Sequence, residues 1–311
     1  MKRGFFLYLL LSYWMSMTLS AQKFMADGIH YQVTSASEVE VVPLENGGAY
    51  SGHIAIPSSV KYDGVTYSVT AIGEGAFYQC SELDYVHFEA PSVVSKIGTG
   101  LYSLPFSDGV TSIGSSAFSG CDNLKEVNIP ASVQTIGSHA FGGCENLETV
   151  TLAESIRNIE DGTFSGCFLL KYITLPNSLV SIGENAFSNC RELKSIEIPG
   201  SVVSIKENAF RGCSLLSEIN LPESLLDLGN DVFYECFSLE AITLPKHLES
   251  IGNYAFIDCY NLQSVSAEMT QPCVLGEEAF RGTPDYKTLT VPAGSSFFYR
   301  KTEGWNNFNQ I

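Results

Sequence analysis

Basic residues are scarce in this 311-residue chain: Lys and Arg number 17 against 34 Asp and Glu, the formal net charge is −17, and charged residues make up only 16%. No Lys/Arg cluster interrupts the acidic background. Phosphate backbones and anionic headgroups are therefore repelled, so nucleic acid and direct membrane insertion of the mature chain are not expected. Past the first twenty or so residues no apolar run is long enough to span a bilayer. A Gly-x-Ser-x-Gly elbow, a phosphate-binding loop, a calcium-binding repeat and a Cys-x-x-Cys pair are all missing. His30, His53, His87, His139 and His247 fall at unrelated places, and no partner is fixed within reach of any, as a general base requires. Glu277-Glu278 reads as a solvated turn pair. The expectation is a protein that is not an enzyme, with no catalytic site, metal site or cofactor.

What the chain does have is apolar mass. It is 45% hydrophobic, too apolar for a disordered tail. Lys2 and Arg3 precede an apolar run from Phe5 to Leu11, and Leu19-Ser20-Ala21 offers small residues for cleavage. This order predicts a signal peptide over residues 1–21 and export to a secreted, cell-surface or periplasmic location. Ser12, Ser16 and Thr18 interrupt the run too early for a membrane anchor, and no cysteine near the cut suits a lipoprotein. Cleavage removes Lys2 and Arg3 and no acidic residue, so −17 becomes −19.

Self-similarity dominates the rest. Phe118, Phe141, Phe164, Phe187, Phe210, Phe233 and Phe256 recur every 23 residues, with Phe77 before the series and Phe280 after it. A cysteine stands three places after each except Phe280, from Cys80 and Cys121 to Cys259. Within one unit, Ile196-Glu197-Ile198 alternates like a half-buried strand. Pro199 ends it, because proline cannot donate to a continuing ladder; Pro130, Pro176, Pro222 and Pro245 are equivalent. A second extended piece, Val202 to Ile205, leads to a turn that elsewhere reads Ile-Gly, as at Ile182-Gly183. Glycine is expected there for a positive φ, although Glu160 and Lys206 depart from it. The Ala-Phe pair then sends a ring inward. One unit cannot bury its own apolar face, whereas stacked units make continuous columns of Phe, Ile/Leu and Cys.

The predicted fold is thus a repeat solenoid: a leucine-rich-repeat, right-handed, β-rich coil with a short strand ladder, an irregular or 3-10 convex side and a β N-terminal cap. The cap and first partial coil are placed at 22–68, where Asp63-Gly64 signals a hairpin. The solenoid occupies 69–283 in about nine coils, one of them degenerate near 89–109, where a bulge or loop is expected. A last rung and C-terminal cap fill 284–311, with Trp305 and Phe308 folding back over the final coil. The cysteine column reads as small buried side chains rather than as disulfides or zinc ligands; Cys273 stands outside it with no assigned role.

The unit Ile-Gly-x-x-Ala-Phe-x-x-Cys-x-x-Leu-x-x-Ile-x-Leu-Pro-x-Ser-Val resembles the 23-residue repeat of BspA-type leucine-rich-repeat proteins. Asp27-Gly28-Ile-His-Tyr31, the closing Leu-Thr-Val-Pro-Ala-Gly-Ser and Gly304-Trp305 are similar to members from Bacteroides-like bacteria. The resemblance implies a cell-surface or secreted adhesin with a protein ligand, either a host matrix protein or a bacterial surface protein.

The variable outward strand positions are the candidate binding face: Glu126, Thr149, Tyr172, Ser195 and Glu218 in one column, and Asn128, Thr151, Thr174, Glu197, Asn220 and Thr243 in its neighbour. An extended surface over many coils suits a protein ligand, and aromatic hot spots make Tyr172 the preferred anchor. A glycan is the alternative partner, although Tyr172 is the lone aromatic of the two columns. A structural role in the cell envelope is a third reading.

Overall fold

The computed structural model describes residues 22–89, 103–105, 109–308 and 311. The expected signal peptide lies outside the described residues, as does the degenerate unit apart from Ser103–Pro105 and its flanks. The chain winds into a β-solenoid of about eight turns with mostly parallel strands and little helix.

Two parallel ladders run along it. In the first, the alternating triplets form short rungs. Ser103–Pro105, Glu126–Asn128, Thr149–Thr151 and Tyr172–Thr174 pair in one sheet, Ser195–Glu197 with Glu218–Asn220 in another, and Ala241–Leu244, Ser264–Ala267 and Thr288–Thr290 in a third. Each pairing preserves the repeat register, so Val127 faces Val150 and Ile196 faces Ile219. The middle residue turns inward: Val127, Val150 and Ile196 are buried, while most of their neighbours on either side are exposed. The degenerate unit still supplies a rung, with Leu104 opposite Val127. In the second ladder, two-residue rungs such as Ser181–Ile182 and Ser204–Ile205 pair in the same way. Between the ladders, Ser155, Ser178 and Ser224 give their hydroxyls to carbonyls of Val133, Ile156 and Val202 in the preceding coil. This tie explains the serine two places after the proline position, as in Pro176-Asn177-Ser178.

The third side consists of turns. There the backbone N–H groups point forward, Phe141 to the Thr163 carbonyl at 3.0 Å and Phe187 to that of Ala209 at 2.8 Å. Two left-handed residues per coil produce this path, for example Asn185 (φ 55) and Asn189 (φ 61) on either side of Phe187. The phenylalanine rings meet in one continuous stack from Phe77 to Phe280. Neighbouring centroids lie 5.4 Å apart for Phe118–Phe141 and 5.0 Å apart for Phe256–Phe280, with interplanar angles of 2° and 1°.

One expectation about glycine is overturned. The Ile-Gly glycine does not have a positive φ: Gly183 and Gly252 are absent from the left-handed residues, which cluster on either side of the Phe instead. Space selects glycine here. A Cβ on Gly183 would lie 2.8 Å from the Asp161 amide nitrogen of the coil below. Glu160 and Lys206 are likewise not left-handed, so a side chain there meets no dihedral penalty.

The cysteines are all free and buried. From Cys121 to Cys259, each column thiol also donates to the carbonyl of the preceding coil's phenylalanine. Cys144 reaches Phe118 at 3.1 Å, Cys167 reaches Phe141 at 3.2 Å and Cys213 reaches Phe187 at 3.2 Å. Burial pushes the Cys167 and Cys213 thiols up to about 12, so they are protonated and unreactive at neutral pH.

Both ends are closed. At the start, Lys23–Ala26, Ile29–Val33 and Glu38–Val41 form an antiparallel meander, and Glu38–Val41 joins Val65–Ile72 in parallel. Asp63 (φ 48) and Gly64 (φ 77) turn Ser59–Tyr62 back on Val65–Ile72, the two positive φ values that a tight primed hairpin turn requires. At the other end, Ser296–Lys301 forms a one-and-a-half-turn helix, and the following Trp305 is fully buried. Its indole N–H donates to the Cys273 carbonyl at 3.0 Å, and Phe308 meets Phe280 edge-on at 5.1 Å. Cys273 thus acts through its backbone, seating the closing tryptophan.

A polar face on the first ladder

The outward positions of the first ladder form a register-aligned surface. Glu126 stands beside Thr149 and Thr149 beside Tyr172, while Asn128, Thr151 and Thr174 run parallel to them. Ser195 aligns with Glu218, and Glu197 with Asn220. Thr243 pairs with Ser266 in the next sheet. The structure therefore brings all the sequence-predicted residues onto one face, although their backbone ladder is interrupted between the Tyr172 and Ser195 rungs and between the Glu218 and Ala241 rungs. All are exposed except Thr149, which is half-buried.

Tyr172 dominates this face. It is 69% exposed, and its aligned neighbour Thr149 and the Thr151–Thr174 column beside it are short. The ring stands above a surface of hydroxyls and amides. At the margin, the Lys171 ammonium donates to Glu148 at 2.7 Å. This bond holds the Glu148 carboxyl below its usual range and raises Lys171. Glu126, Glu197 and Glu218 carry the remaining charge, so the face is acidic with one aromatic.

A second exposed aromatic feature was hidden in the repeat. The residue after each column cysteine reads Ser81, Asp122, Glu145, Phe168, Arg191, Ser214, Phe237 and Tyr260, a mixed set with no periodic signal. In the structure Arg191 lies 4.4 Å over the Phe168 ring. Phe237 and Tyr260 stack at 5.5 Å and 3°. Aligning the units by their cysteines and reading the next column for neighbouring aromatics would have found this pair.

Among the described residues no group of three or more His, Cys, Asp or Glu side chains is arranged to hold a metal ion. Nor, among them, is any helix long and apolar enough to cross a membrane.

The profile of the BspA type leucine rich repeat region matches in six copies, over residues 56–103, 97–202 and 180–302. The chain belongs to the BspA-type leucine-rich-repeat family. Members of this family are typically non-enzymatic binding proteins of the cell surface or exterior. No curated protein matches the sequence. Among solved structures, the chain is similar to a leucine rich cell surface protein from Faecalibacterium prausnitzii, with 21% identity over 93% of this chain and 98% of that one and a TM-score of 0.40. It is also similar to a leucine-rich repeat protein from Bacteroides ovatus, with 23% identity, 93% and 99% coverage and a TM-score of 0.32. A third is the pneumococcal vaccine antigen PcpA, with 16% identity, 89% and 95% coverage and a TM-score of 0.43. In BspA-type terms, the residues shared between units make the columns and closing bonds. The residues that differ between units make the face around Tyr172.

Proposed function

We propose that the chain is a non-enzymatic, exported binding protein, an adhesin whose first-ladder face takes a protein ligand from a host matrix or a bacterial surface. The observation that carries this reading is Tyr172, 69% exposed at the centre of a register-aligned polar face. A large ring held out by a rigid strand over short neighbours buries much area on contact and loses little side-chain freedom, which is how aromatic hot spots work. Glu197 and Glu218 on the neighbouring sheet favour a ligand with basic residues around an apolar pocket. Family membership supports the binding role and the exported location, with residues 1–21 removed on export.

The test is a binding assay on immobilised matrix proteins and bacterial surface extracts. The mature protein is compared with a Tyr172→Ala/Glu197→Ala/Glu218→Ala variant whose circular dichroism and melting temperature match the parent. Saturable binding that falls at least tenfold in the variant is expected. Absence of saturable binding sinks the adhesin reading, and unchanged binding in the variant sinks this face. A glycan ligand is favoured by one observation, the exposed stacked pair Phe237 and Tyr260. Binding to arrayed glycans that survives the triple substitution and is lost in Tyr260→Ala would transfer the function to that pair.

A further inference from the structure

The turn side of each coil gives three N–H groups to the coil that follows. Asp231, Phe233 and Glu235 donate to Asn253, Ala255 and Ile257, and Tyr254, Phe256 and Asp258 donate to Glu277, Ala279 and Arg281. In the last coil the equivalent donors are Glu278, Phe280 and Gly282. None of the three has an acceptor among the described residues. The C-terminal segment covers the Phe280 ring with Trp305 and Phe308, but it leaves a cleft between the last turn and Gly304–Phe308. An inner pocket of about 220 Å³ is lined by Glu278, Phe280, Arg281, Lys287 and Phe308. An adjoining outer pocket of about 630 Å³ shares Glu278, Gly304 and Asn307 with it and includes Glu277, Glu303 and Tyr254.

Lys287 is the unusual member. Its side chain lines the inner pocket and the residue is 7% exposed. Its ammonium makes one long bond, 3.4 Å to the Pro284 carbonyl, and lies 5.1 Å over the Phe308 ring. An ammonium has three N–H donors, so two are uncommitted in a site nine-tenths withdrawn from water. Burial pushes Lys287 below the usual lysine range, with Asp285 pulling the other way; an entering carboxylate would relieve that penalty. Arg281 is already held by Glu278 at 2.6 Å. The floor is therefore rich in donors and cationic, and the mouth is acidic.

We propose that this cleft binds an extended peptide segment of a partner protein, with an acidic side chain on Lys287 and main-chain carbonyls on the free N–H groups of Glu278 and Phe280. The donors stand on alternate residues, as they do along a sheet edge that captures a peptide. The preceding coils meet the same row of donors with carbonyls on alternate residues. The carboxylates of Glu277 and Glu303 at the mouth select basic residues flanking the acidic one. This site is independent of the face around Tyr172.

The probe is the acetylated, amidated pentapeptide Lys-Thr-Glu-Thr-Lys, titrated into the isotope-labelled full chain by NMR and calorimetry. Saturable shifts of the Glu278, Phe280 and Gly282 amide signals are expected. Affinity should fall at least tenfold in Lys287→Met, which keeps an unbranched stem on Phe308. Replacing the peptide's glutamate with glutamine should cost as much against the parent protein and nothing further against Lys287→Met. That comparison against the parent holds even where the variant is less stable. Amide signals that stay still at millimolar peptide, or equal affinity for the glutamine peptide, overturn the proposal. Free glutamate binding as tightly as the peptide also overturns it, because the ligand would then be a small carboxylate.

Discussion

Gly183 shows how a single position is set by the coil beneath it. Its own amide donates to the Ile159 carbonyl at 2.8 Å, and at this coil the two backbones come close enough to crowd a Cβ. A methyl group there would lie 2.8 Å from the Asp161 nitrogen and the Glu160 carbonyl carbon, both backbone atoms that cannot swing aside. Gly200, in contrast, has nothing within 4 Å and an ordinary φ. Gly183→Ala is therefore expected to destabilise by about 1–3 kcal/mol, as overpacked sites do, and Gly200→Ala to leave stability unchanged or slightly raised. Urea denaturation of the two variants checks this; equal stabilities would remove the close-approach explanation. The sequence signal for Gly183 was clear while its cause was not, because close approach and positive φ both select glycine. The left-handed sites were harder to read. Ser116, His139, Gly162, Asn185, Asn208, Asp231 and Tyr254 occupy one such site in successive coils, and so mixed a set carries no pattern. Lys287 was invisible for a related reason: in sequence it is an ordinary charged residue near a turn, and only the folded tail buries it.

At the scale of an element, the cysteine column joins neighbouring coils through side chains. From Phe77 to Phe233, each Phe carbonyl accepts the amide of its own coil's cysteine and the thiol of the next coil's, as Phe164 does from the Cys167 amide at 3.2 Å and the Cys190 thiol at 3.3 Å. Sequence alone placed the column inside but could not show this bond, since cysteine fits a small apolar site as well as a donor site. The bond has a consequence for pH. Burial pushes Cys167 and Cys213 up to about 12 and raises Cys144, Cys190 and Cys236 well above the ordinary thiol value. A raised folded value means that the unfolded chain ionises first. The associated stability is complete below about pH 8.5, the free-thiol value, and is lost as pH rises toward 12. Each thiol contributes a slope of about 1.4 kcal/mol per pH unit within that window, and the column adds these slopes together. Unfolding free energy measured from pH 8 to 11 should fall steeply, and a Cys190→Ala/Cys213→Ala variant should fall less steeply by about twice the single-thiol slope. Parallel curves for parent and variant would show that the column does not set the alkaline limit.

For the whole molecule, the repeat makes length a variable that the fold can absorb. The interval from Phe256 to Phe280 is 24 residues rather than 23. The register on either side shows where the extra residue goes: Thr243 pairs with Ser266 at the usual offset, while Ser250 pairs with Val274 one residue further on. The connection through Met269 and Cys273 takes up the difference, and both ladders continue. Rungs and columns are therefore fixed by nearest-neighbour contacts, while connections are free to vary. That is also why the architecture was legible from Phe, Cys and Pro alone, whereas the partner was not: the binding residues are those that the stacking leaves unconstrained. Excision of Cys190–Gly212, one complete unit, should then leave a folded protein in which Phe187 stacks on Phe233. In a stack whose stability is a sum over coils and interfaces, the melting temperature should fall modestly. The denaturant slope should drop by about a tenth, in line with the surface lost. Excision of Cys190–Ser201, half a unit, sets rungs against turns and should abolish the cooperative transition. Because Glu197 leaves with the excised coil while Tyr172 and Glu218 move to adjacent rungs, ligand binding by the 23-residue deletion also reports on the face: binding kept at reduced affinity fits a surface spread over many coils, and binding left at parental strength locates the contact away from the excised rung.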